Sequence, residues 1–112
     1  MIYNFKDHIK GDTFPGVEFT FKLNGSVVDL SGATIEMNVR QLSKVGDLSD
    51  SFANTSIGGI TVTDAANGIF EFDEQIIDIV ALLHYYDIQV TLSNSKVYTP
   101  FEGTWNILQD CT

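Results

Sequence analysis

The side chains with the best prospect of chemistry in this sequence are the carboxylates between residues 64 and 78. The stretch EFDEQIID carries most of them, and a predicted hairpin brings one more alongside; together they are Asp64, Glu71, Asp73, Glu74 and Asp78. Because Ca²⁺ takes carboxylate oxygens as ligands, a convergence of these side chains would form a cation site. Their spacing is not that of an EF-hand loop, however, and they alternate with Phe70 and Phe72 as acids do on a solvated strand face. The sequence therefore predicts no metal site and no cofactor.

The residues that act as nucleophiles or general bases in hydrolases do not fall into a catalytic pattern. His8 and His84 lie far apart along the chain, and no Gly-x-Ser-x-Gly motif occurs. His84 stands at the start of a predicted strand, where we expect its polar tip to lie in water. Cys111 is the only cysteine, so neither a disulfide within the chain nor a cysteine-based metal site can form. We therefore predict that the protein is not an enzyme and has no catalytic residues.

The charge balance disfavours two further classes of partner. Fifteen acidic residues against six basic ones give a formal net charge of −9. An acidic protein repels phosphate backbones and anionic membrane surfaces, so neither nucleic acid nor a membrane is an expected partner. The N-terminus has no apolar stretch of signal-peptide length, and no window approaches the roughly 18 apolar residues of a membrane span. We expect synthesis in the cytoplasm without export.

The elements that would position any site are β-strands, because apolar and polar residues alternate over most of the chain. In GVEFTFKLNG, one face of a predicted strand consists of Val17, Phe19, Phe21 and Leu23. The following Asn24-Gly25 pair is typical of a hairpin turn, since both residues tolerate a positive φ. Similar alternation predicts further strands over residues 33–40, 60–63, 68–72, 85–92 and 97–108.

Three segments break this regularity. Residues 41–50 lose any clear period and are predicted to form a mobile loop or a ragged hairpin. In DEQIIDIVALL the apolar residues at positions 76, 77, 80 and 83 recur with a helical period, which predicts a short helix or a turn that crosses one end of the sandwich. Pro100 cannot donate a ladder hydrogen bond, so its strand is predicted to be an edge strand or to be broken there.

These elements predict a single all-β domain over residues 1–112. About seven strands with at most one helical turn describe an antiparallel immunoglobulin-like β-sandwich with one short helical crossing, and an eight-stranded barrel is the alternative. Tyr85 and Tyr86 start a strand where a tyrosine corner would lie, with a stacked pair of half-buried phenols as the alternative. The predicted core consists of Val17, Phe19, Phe21, Leu23, Leu30, Ile35, Met37, Val39, Ile60, Val62, Ile88, Val90, Trp105 and Ile107.

The turns between the strands resemble those of a known family. The stretch GDTFPGVEFTFKLNGSVVDLSGATIEMNVR is similar to the N-terminal β-sandwich domain of phage baseplate upper proteins and of related small tailed-phage virion proteins. In that family Gly-Asp-Thr precedes a strand, Asn-Gly turns it, and Asp-Leu-Ser/Thr-Gly-Ala leads into the next strand. The matching positions here are Gly11, Asp12, Thr13, Asn24, Gly25, Asp29, Leu30, Ser31, Gly32 and Ala33. The later YYDIQVTLSNSKVYTPFEGTWNILQD is similar in style.

The functional prediction follows from this resemblance. It implies a bacteriophage virion structural protein, a non-enzymatic docking module of the tail or baseplate, whose partners are other virion proteins or further copies of itself. Two alternatives stay open. One is a capsid-surface protein of the phage head, either a decoration protein or a head-fibre-associated protein. The other is a soluble acidic inhibitor or adaptor that binds a host protein.

The first residues of the chain provide the predicted partner-binding site. Ile2, Tyr3 and Phe5 are large apolar or aromatic side chains that precede the first clear strand, where a terminus is normally polar and frayed. We predict that they belong to an N-terminal arm within residues 1–10 that binds the partner. The alternative is that they form an ordinary first strand of the chain's own sheet.

Overall fold

The chain is all-β over residues 1–111, which are the residues that the computed structural model describes. These residues form twelve β-strands and a single 3₁₀ turn at Ala65–Asn67. No helix within them has the length and apolarity needed to span a membrane. The strands are β1 His8–Ile9, β2 Thr13–Phe14, β3 Val17–Thr20, β4 Lys22–Leu23, β5 Ser26–Val27, β6 Thr34–Gln41, β7 Leu48–Ala53, β8 Ile60–Asp64, β9 Ile69–Phe72, β10 Gln75–Ile76, β11 Leu83–Thr91 and β12 Val97–Leu108.

The largest sheet has five strands in the order β1-β12-β11-β6-β7. Its centre is β11, which pairs antiparallel with β12 on one side and with β6 on the other, so that Ile88 lies beside both Phe101 and Met37. A three-stranded sheet has the order β3-β9-β8, and two short pairs, β2 with β10 and β4 with β5, complete the strand pairing. The five-stranded sheet thus joins both ends of the chain with its middle.

The core lies where the five-stranded and three-stranded sheets face each other. Aromatic rings meet there from both sheets: the ring centroids of Phe19 and Phe101 are 4.7 Å apart, and those of Phe72 and Trp105 are 5.9 Å apart. The period-two alternation predicted most of this core correctly. The predicted residues that are buried are Phe19, Phe21, Leu30, Ile35, Met37, Val39, Ile60, Ile88, Val90, Trp105 and Ile107.

Three predicted core residues are not fully buried. Val17 and Val62 are partly buried and pack against the core cluster. The prediction for Leu23 is wrong, because this side chain is 37% exposed on the short β4–β5 hairpin. The buried apolar residues that were not in the predicted core are Phe5, Phe14, Ala33, Phe52, Ala53, Phe70, Phe72, Ile77, Ile79, Tyr86 and Phe101.

Two turns have the geometry that their sequences predict. Asn24 and Gly25 have φ values of 51° and 81° between β4 and β5, as a hairpin turn with two positive φ angles requires. In the Asp-Leu-Ser-Gly stretch, the backbone N–H and the hydroxyl of Ser31 both donate to Asp29 Oδ1, at 2.9 Å and 2.7 Å. These hydrogen bonds, the hydroxyl bond first, lower the pKa of the Asp29 carboxyl. The residues that carry the family resemblance in these two turns therefore act as turn formers.

The predicted helical crossing is wrong. Residues 73–83 contain the two-residue strand β10, which pairs with β2, followed by irregular chain up to Leu83, where β11 starts. Ile77 and Ile79 are buried whereas Ile76 and Val80 are 68% and 42% exposed. This is a period of two, so the strand pairing of β10 overrides a helical stripe that would have been too short to be stable alone. Residues 41–50 form the ragged hairpin between β6 and β7, with a register shift after Val39.

Candidate interaction surface

The first residues of the chain lie along β12 as an added parallel strand. Ile2 forms a parallel bridge with Glu102, and β1 continues the same parallel pairing at its other end. The Tyr3 N–H donates to the Glu102 carbonyl at 2.8 Å and the Phe5 N–H donates to the Thr104 carbonyl at 3.0 Å. The backbone of this N-terminal segment, residues 1–5, is therefore an edge of the chain's own sheet, which was the alternative to a free arm.

Tyr86 and Gly103 hold this segment in place. The two residues are neighbours across β11 and β12, and the hydroxyl of Tyr86 donates to the Tyr3 carbonyl. A Cβ at Gly103 would lie 2.7 Å from the Tyr3 carbonyl carbon, closer than such atoms approach. Burial raises the pKa of the Tyr86 hydroxyl, which therefore remains a hydrogen-bond donor at neutral pH. Of the two tyrosines singled out in the sequence, Tyr86 is the buried, hydrogen-bonded one.

The three predicted partner-binding residues lie in different environments. Phe5 is 7% exposed, and its ring centroid is 4.7 Å from those of both Tyr86 and Trp105. Tyr3 is half-buried, with its ring edge-on to Phe19 at 5.5 Å. Ile2 is 71% exposed. The structure does not bring the three together on one surface, and of the three, Ile2 exposes most of its side chain to a partner.

Replacement of Gly103 by alanine should loosen the N-terminal segment. We expect Gly103→Ala to lower the free energy of unfolding by about 1–3 kcal/mol, because the added methyl group collides with the Tyr3 backbone. Hydrogen exchange of the Tyr3 and Phe5 amides should accelerate. The control is Asn106→Ala on the same strand, which adds no atom near the segment. Unchanged stability together with unchanged exchange at Tyr3 and Phe5 would contradict the assignment.

An apolar groove continues this surface beyond the N-terminus. It lies between β4 and the first half of β12, with a volume of about 330 Å³, and is lined by Phe21, Lys22, Leu23, Tyr98, Thr99 and Pro100, with Met1 at one side. The rings of Phe21 and Tyr98 meet edge to face at 5.7 Å. Met1 ends the parallel pairing, since its amino group donates to the Pro100 carbonyl at 2.7 Å.

Each side of the groove is the edge of a sheet. Among residues 1–111, β4 pairs with β5 alone, and Val97 and Tyr98 of β12 pair with β11 alone. A register shift between Ile88 and Val90 accommodates Pro100 on the facing strand. The sequence prediction for Pro100 is confirmed in this form, because the strand is irregular at the proline and unpaired on its outer side just before it. Edges of this kind carry free backbone donors and acceptors.

The two histidines are held by hydrogen bonds inside the fold. His84 is fully buried, so the prediction of a polar tip in water is wrong. Its Nε2–H donates to the Val80 carbonyl at 2.8 Å, which leaves Nδ1 to accept from the Ser49 hydroxyl at 3.2 Å. The available signal was the alternation along β11, which buries positions 86, 88 and 90 and, continued two residues towards the N-terminus, buries position 84 as well. His8 is bonded through Nε2 to the Asp12 carbonyl at 3.0 Å.

The acidic run predicted to be a solvated face does not converge. Asp73 accepts from the Thr61 hydroxyl at 2.9 Å, Asp64 accepts from the Asn67 amide at 2.8 Å, and Asp78 pairs with Lys10 at 2.8 Å. In the described part of the chain, no group of three or more potential metal ligands is placed to hold an ion.

Metal chelation should leave the fold unchanged. We expect thermal melts with excess EDTA and with added Ca²⁺ to coincide with the melt in buffer, since Asp64, Asp73 and Asp78 have separate protein partners. A melting temperature that rises substantially with Ca²⁺ would overturn this prediction.

Comparison with known proteins provides no relative from which a function could be inferred. A scan against protein-family models and searches of curated proteins and of solved structures found no match to the chain. The proposals below therefore rest on the surface geometry of residues 1–111 and on the resemblance of the turn motifs.

Proposed function

We propose that the chain is a bacteriophage virion structural protein, a non-enzymatic docking module of the tail or baseplate with an immunoglobulin-like β-sandwich fold. The resemblance of the turn motifs supports the virion assignment. An aromatic core between a five-stranded and a three-stranded sheet supports the sandwich. A capsid-surface location and a host-protein adaptor remain the alternatives.

The observation that carries the docking proposal is the apolar groove between β4 and β12. An extended peptide placed there would find a sheet edge on each side and apolar side chains at its floor. Strand addition uses these two features together: main-chain hydrogen bonds give affinity, and pockets for alternate side chains give specificity. The occupant that fits is an extended, apolar segment of a neighbouring virion protein.

The test combines particle composition with a groove variant. Leu23→Asp places a carboxylate at the groove, whereas Val27→Asp places it on β5 of the same hairpin, outside the groove lining. Because both side chains are substantially exposed, neither change should unfold the domain. We expect quantitative mass spectrometry of purified particles to show about tenfold less of the Leu23→Asp chain, and Val27→Asp to be incorporated like the wild type.

The outcomes separate the assignments. Absence of the wild-type chain from purified particles would remove the virion assignment and favour the host-protein adaptor. Cross-links to capsid proteins instead of tail or baseplate proteins would move the chain to the head. Full incorporation of Leu23→Asp would show that attachment does not use the groove.

A further inference from the structure

A row of exposed apolar side chains crosses the outer face of the five-stranded sheet. Each neighbouring strand, or the residue that follows it, contributes one member. In spatial order this apolar row is Ile9 (42% exposed), Leu108 (40%), Leu83 (38%), Leu42 (63%) and Leu48 (51%). No large apolar side chain is needed on a solvated face, so five in sequence across a sheet indicate a contact surface.

The register shows that the row runs diagonally across the sheet, because Leu83 lies opposite Asn106 and is thus the diagonal neighbour of Leu108, two residues further along β12. Ile9 lies directly opposite Leu108 in the parallel pair of β1 and β12. The Leu42 N–H donates to the Leu83 carbonyl at 3.0 Å, which extends the pairing of β6 with β11 by one residue. Leu48 is opposite Arg40, two residues before Leu42, so it is a diagonal neighbour of Leu42.

Strand alternation places the row away from the core. Three members of the row have a buried residue next to them in the chain. These buried residues, which face the core, are His8 before Ile9, Ile107 before Leu108, and His84 after Leu83. Successive side chains of a strand point to opposite faces, so Ile9, Leu108 and Leu83 point outward.

The direction of the row selects an α-helix as its occupant. The row runs across the strands and offers side chains without any backbone edge, so a strand laid upon it would gain no main-chain hydrogen bonds. A helix satisfies its own backbone and presents an apolar side chain about every 5.4 Å along one face. Members directly opposite each other are about 5 Å apart and diagonal ones about 7–8 Å apart, so a helix of about four to five turns laid along the diagonal spans the row.

The charged residues around the row determine which residues should flank the apolar stripe of that helix. Of the cations near the row, Lys10 pairs with Asp78 at 2.8 Å, Lys44 pairs with Glu102 at 3.0 Å, and Arg40, opposite Leu48, donates to the Gly46 carbonyl at 3.2 Å. Such exposed pairs leave little free positive potential for an acidic partner.

Carboxylates flank the row at both ends. Asp12, in the turn after Ile9, is exposed, and Asp47, next to Leu48, is exposed as well. A second copy of the chain would bring a charge of −9 against −9, which opposes self-association. A partner with Lys or Arg beside its apolar stripe is attracted instead.

We infer that the apolar row is the docking site of an amphipathic α-helix of a partner protein, with a leucine-like apolar stripe flanked by basic residues. The inference deepens the proposed docking function and rests on it in one respect, that the partner is a protein. It uses a surface separate from the groove, so a virion component whose row binds no helix would leave the virion assignment intact.

The test uses a defined probe. A fluorescent synthetic peptide of about 15 residues carries Leu at successive i, i+3 and i+4 positions and Lys elsewhere. Two control peptides have the same composition in strand-like alternation, or Glu in place of each Lys. The double variant Leu42→Asn, Leu48→Ser removes the two most exposed members of the row, and Asn suits the φ of 64° at position 42. Ile57→Ser, at a 63% exposed apolar residue outside the row, is the matched control.

We expect fluorescence anisotropy to show binding of the helical Lys peptide to the wild type and to Ile57→Ser, and binding about tenfold weaker or more to the double variant. Both control peptides should bind less tightly to the wild type. Equal binding to the wild type and the double variant, or no binding of the helical peptide to the wild type, would overturn the inference. Two further results would overturn it. If sedimentation shows a wild-type dimer that the double variant abolishes, the row binds a second copy of the chain. If the wild type binds anionic vesicles and the double variant does not, the row binds a membrane.

Discussion

Truncation of Trp105 to alanine is expected to lower the free energy of unfolding by about 3–5 kcal/mol. Trp105 is fully buried, and its ring centroid lies 4.7 Å from that of Phe5 and 5.4 Å from that of Phe14. Removing the indole leaves a cavity that these rings can fill only in part. The loss is a large share of the roughly 5–15 kcal/mol that stabilises a domain of this size, and denaturant titration would measure it.

The matched control is Trp105→Phe. The indole Nε1–H has no hydrogen-bond acceptor among residues 1–111, so its replacement removes an unsatisfied donor while an aromatic ring remains in the core. We expect this change to cost less than half of the alanine effect. A loss below about 1 kcal/mol for Trp105→Ala would mean that the inner face of β12 is assigned backwards.

The second large effect is expected at Phe5. Phe5→Ala should also lower the free energy of unfolding by about 3–5 kcal/mol, because its ring packs against Tyr86, Trp105 and Phe72 inside the core. Ile2→Ala, three residues earlier and 71% exposed, should change it by less than about 0.5 kcal/mol. Equilibrium unfolding of the two variants side by side gives the comparison.

This pair of variants decides what the N-terminal segment is. A free arm would tolerate both substitutions equally, with stability near that of the wild type. A strand of the chain's own sheet makes Phe5 a core residue and leaves Ile2 as the position open to a partner. Equal and small changes in the free energy of unfolding at Phe5 and Ile2 would instead support a free arm.

The strands and hairpins could be predicted because local chemistry fixes them. Alternation between Ile35 and Val39 identifies β6, and the positive φ tolerated by Asn24-Gly25 identifies a hairpin. The prediction for residues 73–83 was wrong because the apolar residues of this segment satisfy a helical period, whereas the structure uses a period of two. Only the pairing of β10 with β2, some sixty residues earlier in the chain, settles that choice.

The candidate surfaces could not be predicted from the sequence, because they depend on contacts between residues far apart in the chain. The apolar character of Ile2, Tyr3 and Phe5 signals burial, yet nothing local to them says that the covering strand is β12, at the other end of the chain. Gly103 was the available signal, since a glycine within a strand pattern marks a close approach of another backbone. The apolar row escaped detection because Leu42 and Leu48 fall in a stretch without a clear period, and the row exists only across strands.

The parallel pairing of the N-terminal segment with β12 also determines how the protein carries mechanical load. Tension applied at the two ends of the described chain would pull the segment and β12 in opposite directions along their common axis. The hydrogen bonds from Tyr3, Phe5 and Lys10 to β12 stand across that axis, so they would be strained together in shear rather than opened one after another. The side chain of Phe5 would have to leave the core in the same event. The fold is thus built to resist extension through its termini more strongly than peeling from a single edge.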